Sequence, residues 1–231
     1  MHALSRKDSI MSNELPTSAT RLWVGQPSVF GSLEVEPNGS ITYVYDRDLN
    51  RNVWRYFKPS DSVSYRCESR NIRVGAQAYK WQKGRTYTLN WKSKLPKIDS
   101  AYGDFVIFQW KSYPGGLQNY PLLMTAVRDE VILRFVDRGE VWKTVWTTKT
   151  QDNVWNSYSL TLHLSDIDSE GWFSLNYNGV DQLLDGKSRY AGRTMDGANE
   201  PKWGVYNRDK PEHEMERLVA DLEVLELQSV T

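Results

Sequence analysis

Three short polar runs interrupt text that otherwise reads as β-strand, and each carries a group capable of acid, base or charge chemistry. Tyr206 stands between Trp203-Gly204 and Asn207-Arg208-Asp209-Lys210. Neighbouring cations favour the phenolate of such a tyrosine, which can act as general base and, once protonated, as general acid. The same residue also reads as an amphipathic core tyrosine with its hydroxyl at the rim. Gln109 lies in Asp104-Phe105-Val106-Ile107-Phe108-Gln109-Trp110-Lys111. Two-residue alternation aligns it with Phe105 and Ile107 and puts Val106, Phe108 and Trp110 on the other face, so its amide needs partners. A ligand carboxylate meets that need in one reading, and neighbouring strands in the other. In Tyr65-Arg66-Cys67-Glu68, Arg66 and Glu68 are two apart on one strand face, where a bidentate pair would orient the guanidinium toward a carboxylate. The plain alternative is a surface ion pair of little energetic weight. Lys111, Trp110, Asn207 and Arg208 flank these groups and complete a candidate set of ligand contacts. If the three runs share one concave sheet face, they line a groove suited to a sugar acid.

Strands must do the positioning. Apolar and polar residues alternate, or β-branched and aromatic residues cluster, near residues 40–45, 53–57, 62–69, 86–92, 104–111, 122–127, 131–136, 141–147, 156–164, 171–177, 202–206 and 218–227. About a dozen short strands with no convincing long helix predict an all-β protein, an antiparallel two-sheet β-jelly roll of the concanavalin-like sandwich type. Asn178-Gly179 reads as a hairpin turn in preference to a helix over 180–184. Residues 1–20 are rich in Ser, Asn and Thr without periodicity and are expected to form a flexible tail, leaving 21–231 as one domain. Two loops stand beside the polar runs, Tyr113-Pro114-Gly115-Gly116 and the Gly- and Arg-rich stretch 185–201.

Composition narrows the classes. The 231 residues carry 29 Lys and Arg against 29 Asp and Glu, so net charge points to no nucleic-acid or membrane partner. Residues 51–111 nonetheless hold 13 basic against 4 acidic residues, a stretch that either faces a polyanion or is simply solvated. Ten Trp, 13 Tyr and 6 Phe supply core and also flat surfaces of the kind that suit sugar rings. Cys67 is the one cysteine, which excludes an intrachain disulfide and any Cys-based metal site. His2, His163 and His213 have no zinc-ligand spacing, and no serine-hydrolase elbow, phosphate loop or dinucleotide fingerprint occurs. A structural calcium between first and last strands is conceivable through Glu34 or Asp221 with backbone carbonyls; no cofactor is required for the chemistry. The N-terminal Met1-His2-Ala3-Leu4-Ser5-Arg6 runs into no apolar segment, so the chain is expected either in the cytoplasm or secreted with a leader removed. A monomer is expected.

In order and spacing, the strand with Arg66-Cys67-Glu68, the strand ending in Gln109-Trp110, the Asn178-Gly179 hairpin, the segment Lys202-x-Gly204-x-Tyr206-x-Arg208 and the closing Asp221-Leu222-Glu223-Val224 resemble the β-jelly-roll polysaccharide lyases that include glucuronan lyase and heparin lyase. The resemblance covers about residues 22–229. It implies β-elimination of an acidic, uronate-containing polysaccharide, with Gln109 helping to neutralise the uronate carboxylate and Tyr206 transferring protons. In glucuronan lyases of this kind a His occupies the early strand motif, and Arg66 stands at the matching position. A cation there can support the carboxylate and depress a tyrosine pKa as a His would. The implied site is Tyr206, Gln109 and Arg66, with Lys111, Glu68, Arg208, Trp110 and Asn207 binding substrate. The alternatives are a non-catalytic, lectin-like carbohydrate-binding protein, or the same fold recruited to an intracellular small-molecule reaction.

Overall fold

The computed structural model describes residues 19–25, 30–61, 63–96, 104–113, 116–209 and 212–228. Its strands are β1 (Ala19–Val24), β2 (Phe30–Val35), β3 (Ser40–Asp46), β4 (Arg51–Lys58), β5 (Arg66–Val74), β6 (Gln77–Ala78), β7 (Thr86–Lys94), β8 (Asp104–Tyr113) and β9 (Leu122–Val127). There follow β10 (Glu130–Asp137), β11 (Val141–Lys149), β12 (Asn156–His163), β13 (Trp172–Tyr177), β14 (Val180–Asp181), β15 (Tyr190–Ala191), β16 (Ala198–Tyr206) and β17 (Met215–Leu227). No helix occurs among the described residues.

Two antiparallel sheets form. One runs β14-β13-β12-β7-β17-β4-β3, with β1 added along β17 and β15 on β13; the other runs β11-β10-β9-β8-β16-β5-β2, with β6 on β5. Alternation explains the pairing. On β7, Tyr87, Leu89 and Trp91 point inward, opposite Leu162, Leu160 and Tyr158 of β12, and Trp91 stacks on Tyr158 with ring centroids 5.1 Å apart. From the other sheet, Phe108, Trp110, Trp203 and Val205 close the same core. Neighbours distant in sequence, such as β7 with β17 and β5 with β16, make this a β-jelly roll, as expected.

Asn178 and Gly179 take φ of 51° and 81° in the turn joining β13 to β14, the left-handed pair that a two-residue hairpin requires. The possible helix at 180–184 is therefore replaced by a short strand. The strand expected at 62–69 begins only at Arg66, because Asp61 draws the backbone amides of Val63 and Ser64 into a turn. β2 was not anticipated at all: Gly31, Ser32 and Glu34 mask its period. The expected tail lies outside the described residues except for Ala19 and Thr20, which open β1.

Candidate active site

Strand parity builds one polar face on the second sheet. β5 sends Arg66, Glu68 and Arg70 to that face and turns Cys67 and Ser69 inward. β16 pairs in register with β5, setting Lys202 opposite Arg70, Gly204 opposite Glu68 and Tyr206 opposite Arg66. β2 adds Glu34 opposite Glu68. β8 adds Gln109 opposite Lys202, with Lys111 two residues on. Glu34, Arg66, Glu68, Gln109, Lys111, Lys202, Tyr206 and Arg208 all line a cavity of about 440 Å³, roofed by Tyr113, Asn119, Tyr120 and Trp142. A second cavity of about 580 Å³ shares Val106, Tyr120, Trp142, Tyr206 and Arg208 with the first and adds Arg134, Asn207 and Asp209. Together they form a continuous groove with Tyr206 at the junction.

Two backbone features set the floor. Pairing of β8 slips between Val106 and Phe108 against β9, and the pairing of β16 against β8 slips between Trp203 and Tyr206. The slip corrects the alternation expected for β8: Gln109 shares the groove with Val106, whereas Ile107 is 1% exposed and belongs to the core. The second feature is Gly204, with φ of 152°. A Cβ there would lie 2.2 Å from the Cys67 carbonyl oxygen, so only glycine lets β16 approach β5 this closely.

Trp110 does not reach the groove. It is fully buried, donates its Nε1 proton to the Thr194 carbonyl at 2.7 Å and meets Trp81 edge-on at 5.0 Å, so its expected substrate contact is corrected to a core role.

The ion pairs also differ from expectation. Arg66 is not oriented by Glu68. It donates from Nε to Glu36 at 2.9 Å, from Nη1 to Glu34 at 3.0 Å and from Nη2 to the Tyr65 hydroxyl at 3.0 Å. Its guanidinium carbon lies 4.8 Å from the Tyr65 ring centre and 5.5 Å from that of Tyr206. Glu68, 2% exposed, instead accepts from Gln109 Nε2 at 2.7 Å and pairs with Lys202 at 2.7 Å. Lys202 reaches Glu34 as well, at 2.8 Å. Burial opposes the Lys202 charge, yet Glu68 and Glu34 raise its pKa above the ordinary lysine value. Because a carboxylate only accepts, the Gln109 amide must turn its NH₂ toward Glu68, leaving one N–H and the carbonyl oxygen for other partners.

Tyr206 is half-buried. Burial pushes its pKa up, Arg66 and Arg208 pull it down, and Glu68 adds to the rise; the net shift is upward. Proximity of cations therefore does not lower this phenol, as the sequence had suggested. Lys111 moves the other way: burial first, then Lys202 and Arg70, lower its pKa. It donates to the Ser112 carbonyl at 3.2 Å, to the Asn119 carbonyl at 3.3 Å and to Asn119 Oδ1. Neither Lys111 nor Arg208 has a carboxylate partner in an ion pair among the described residues. Asn207 lines the outer cavity, where its side-chain oxygen accepts from the Asp209 amide at 2.9 Å.

Glu34 and Asp221 lie on different sheets and are not brought together. Glu34 belongs to the groove and is engaged by Arg66, Arg70 and Lys202, whereas Asp221 sits in the other sheet and pairs with Arg51 and Lys92. Cations already occupy both carboxylates, and no group of three or more His, Cys, Asp or Glu suited to a metal occurs among the described residues.

Sequence reasoning missed Lys202 and Glu36 as site residues, and Tyr120, Trp142 and Asn119 as walls. Lys202 was legible, since it shares parity with Gly204 and Tyr206; the walls come from separate strands and loops and carry no local signal.

A family model described as polysaccharide lyase matches residues 24–219, most of the chain. The chain belongs to the polysaccharide lyase family. Among solved structures, this lyase is similar to the alginate lyase AlgAT5 from Polysaccharide Lyase family 7, with a TM-score of 0.58 at 15% identity and 84% of each chain covered. The alginate lyase from Corynebacterium sp. gives 0.55 at 15% identity with 80% of each chain covered. At these identities the likeness is one of fold. No curated protein sequence matches the lyase.

Proposed function

We propose that this lyase cleaves an acidic, uronate-containing polysaccharide of the glucuronan type by β-elimination, with Tyr206 as base and then acid. The observation that carries the reading is a groove in which Tyr206 stands at the junction of two cavities, beside a fixed Gln109 amide and two cations that have no carboxylate partner among the described residues. Tyr206 Oη removes the C5 proton. The electrons move into the C5–carboxylate system, where the free N–H of Gln109, Lys111 and Arg208 stabilise the enolate-like charge. The C4–O4 bond then breaks, a C4=C5 double bond forms, and the departing O4 takes the proton from Tyr206. A single tyrosine suffices where H5 and O4 lie on the same ring face. Arg66 supports this from a distance: its charge, largely balanced by Glu34 and Glu36, lies against the Tyr206 ring and favours the phenolate.

Incubation with glucuronan, alginate and heparin should yield unsaturated, ultraviolet-absorbing ends from at least one of them, and Tyr206→Phe should remove that signal. Absence of product from every polyuronide would sink the substrate assignment.

A further inference from the structure

Arg217 is a buried cation that the groove chemistry does not use, and it lies beneath the groove floor. It projects inward from β17 and is 0% exposed. Its Nε donates to Ser93 Oγ at 2.8 Å; its Nη1 donates to the Ile107 carbonyl and, at 3.4 Å, to the Gly204 carbonyl. Among the described residues Nη2 has no hydrogen-bond partner and no carboxylate balances the charge. Burial pulls its pKa down to about 10. A buried cation of this kind opposes folding, and an apolar side chain of similar size often does as well or better for stability.

The two carbonyls it binds are not arbitrary. Ile107 is the residue at which β8 loses register with β9, and Gly204 lies within the interval where β16 loses register with β8. The double slip frees backbone acceptors toward the core, and a planar guanidinium with several donors in a fixed fork can satisfy both at once. On the opposite side of the same backbone, the slip sets where Val106, Gln109 and Tyr206 stand relative to one another.

We propose that Arg217 is a positioning residue for the elimination, clamping Ile107 and Gly204 from the core side so that Tyr206 and Gln109 hold their spacing across the groove. The inference rests on the proposed roles of those two residues. Misplacement of a reacting group by about 1 Å can cost about a hundredfold in rate, so the clamp acts on kcat.

The test compares wild type, Arg217→Met and Arg217→Lys by steady-state kinetics on whichever polyuronide wild type cleaves, alongside backbone hydrogen exchange. In Arg217→Met, kcat should fall about 30-fold or more with KM within about threefold, and exchange should quicken at residues 104–109 and 203–207 but not in β10 to β12. Arg217→Lys keeps the charge and one donor direction and should recover part of the loss. Wild-type kcat in folded Arg217→Met, a loss confined to KM, or exchange rising equally in both sheets would overturn the proposal. If Arg217→Met fails to fold, Arg217→Lys decides, and wild-type kcat there overturns it. If wild type releases no unsaturated ends from any polyuronide, the substrate reading fails by itself. The exchange pattern then rules on the clamp.

Discussion

The two sides of the groove handle positive charge differently. Toward β2 and β5, the cations are answered from within the protein: Arg66 by Glu34 and Glu36, Arg70 by Glu34 and Glu200, Lys202 by Glu34 and Glu68. From β8 and the end of β16 outward, Lys111 and Arg208 face the cavity with no carboxylate partner among the described residues, under a roof of Tyr120 and Trp142 whose rings meet at 5.2 Å. The first side is a braced lattice that fixes side-chain positions. The second retains unbalanced charge, the property that attracts an anionic substrate. Counting basic residues in the sequence treats the two as equivalent, whereas the structure separates cations that orient from cations that remain available.

The largest test of this contrast removes the group at the junction: Tyr206→Phe should lower kcat by about a thousandfold or more without loss of fold, measured as unsaturated product and thermal unfolding. Next, Lys111→Met or Arg208→Gln should each cost about 10- to 100-fold in kcat/KM, more than Arg66→Gln, which removes a charge already balanced. The reverse ranking would mean that the braced side, not the open one, meets the substrate carboxylate.

A pH profile sharpens the same point. The Tyr206 pKa is raised, so its base form grows as pH climbs through the alkaline range and kcat/KM should rise with it. Removing the Arg66 charge takes away a lowering influence and should move that limb to still higher pH. Glu68→Gln takes away a raising influence and should move it down. The smallest expected effect belongs to the other sheet: Asp221→Asn breaks partly exposed pairs with Arg51 and Lys92 and should change stability by less than about 1 kcal/mol and activity not at all. Lost activity there would show that the sheets are coupled more tightly than their separate roles imply.

Much of this was legible in the sequence wherever alternation ran unbroken. β7 and β12 were marked almost to the residue because Tyr87, Leu89 and Trp91, and Tyr158, Leu160 and Leu162, keep strict period two. Arg66, Gln109 and Tyr206 were also picked out, and all three line one cavity. What failed depended on long-range pairing. Nothing in Phe105-Val106-Ile107-Phe108 announces a register slip, so Gln109 was aligned with the wrong neighbour. Trp110 was counted among the substrate contacts because an aromatic beside a polar residue looks the same in sequence whether it faces ligand or core. Glu68 and Arg66 shared a face as expected, but Glu34 and Glu36 upstream and Lys202 far downstream supplied better partners than either offered the other. Tyr206 was assigned a lowered pKa from nearby charges alone, and burial, which sequence does not print, reversed the sign.

Gly204 carries a consequence for how such a site can diversify. Position 204 admits no side chain, since its first carbon would strike the Cys67 carbonyl. Its neighbours of like parity are held as well, Lys202 by its two carboxylates and Tyr206 by the proton transfer proposed for it. A fixed bald spot therefore sits in the floor between two posts that are not free to vary. Substrate preference can drift only at the outer walls, such as Tyr120 and Trp142, while the depth at the centre stays locked.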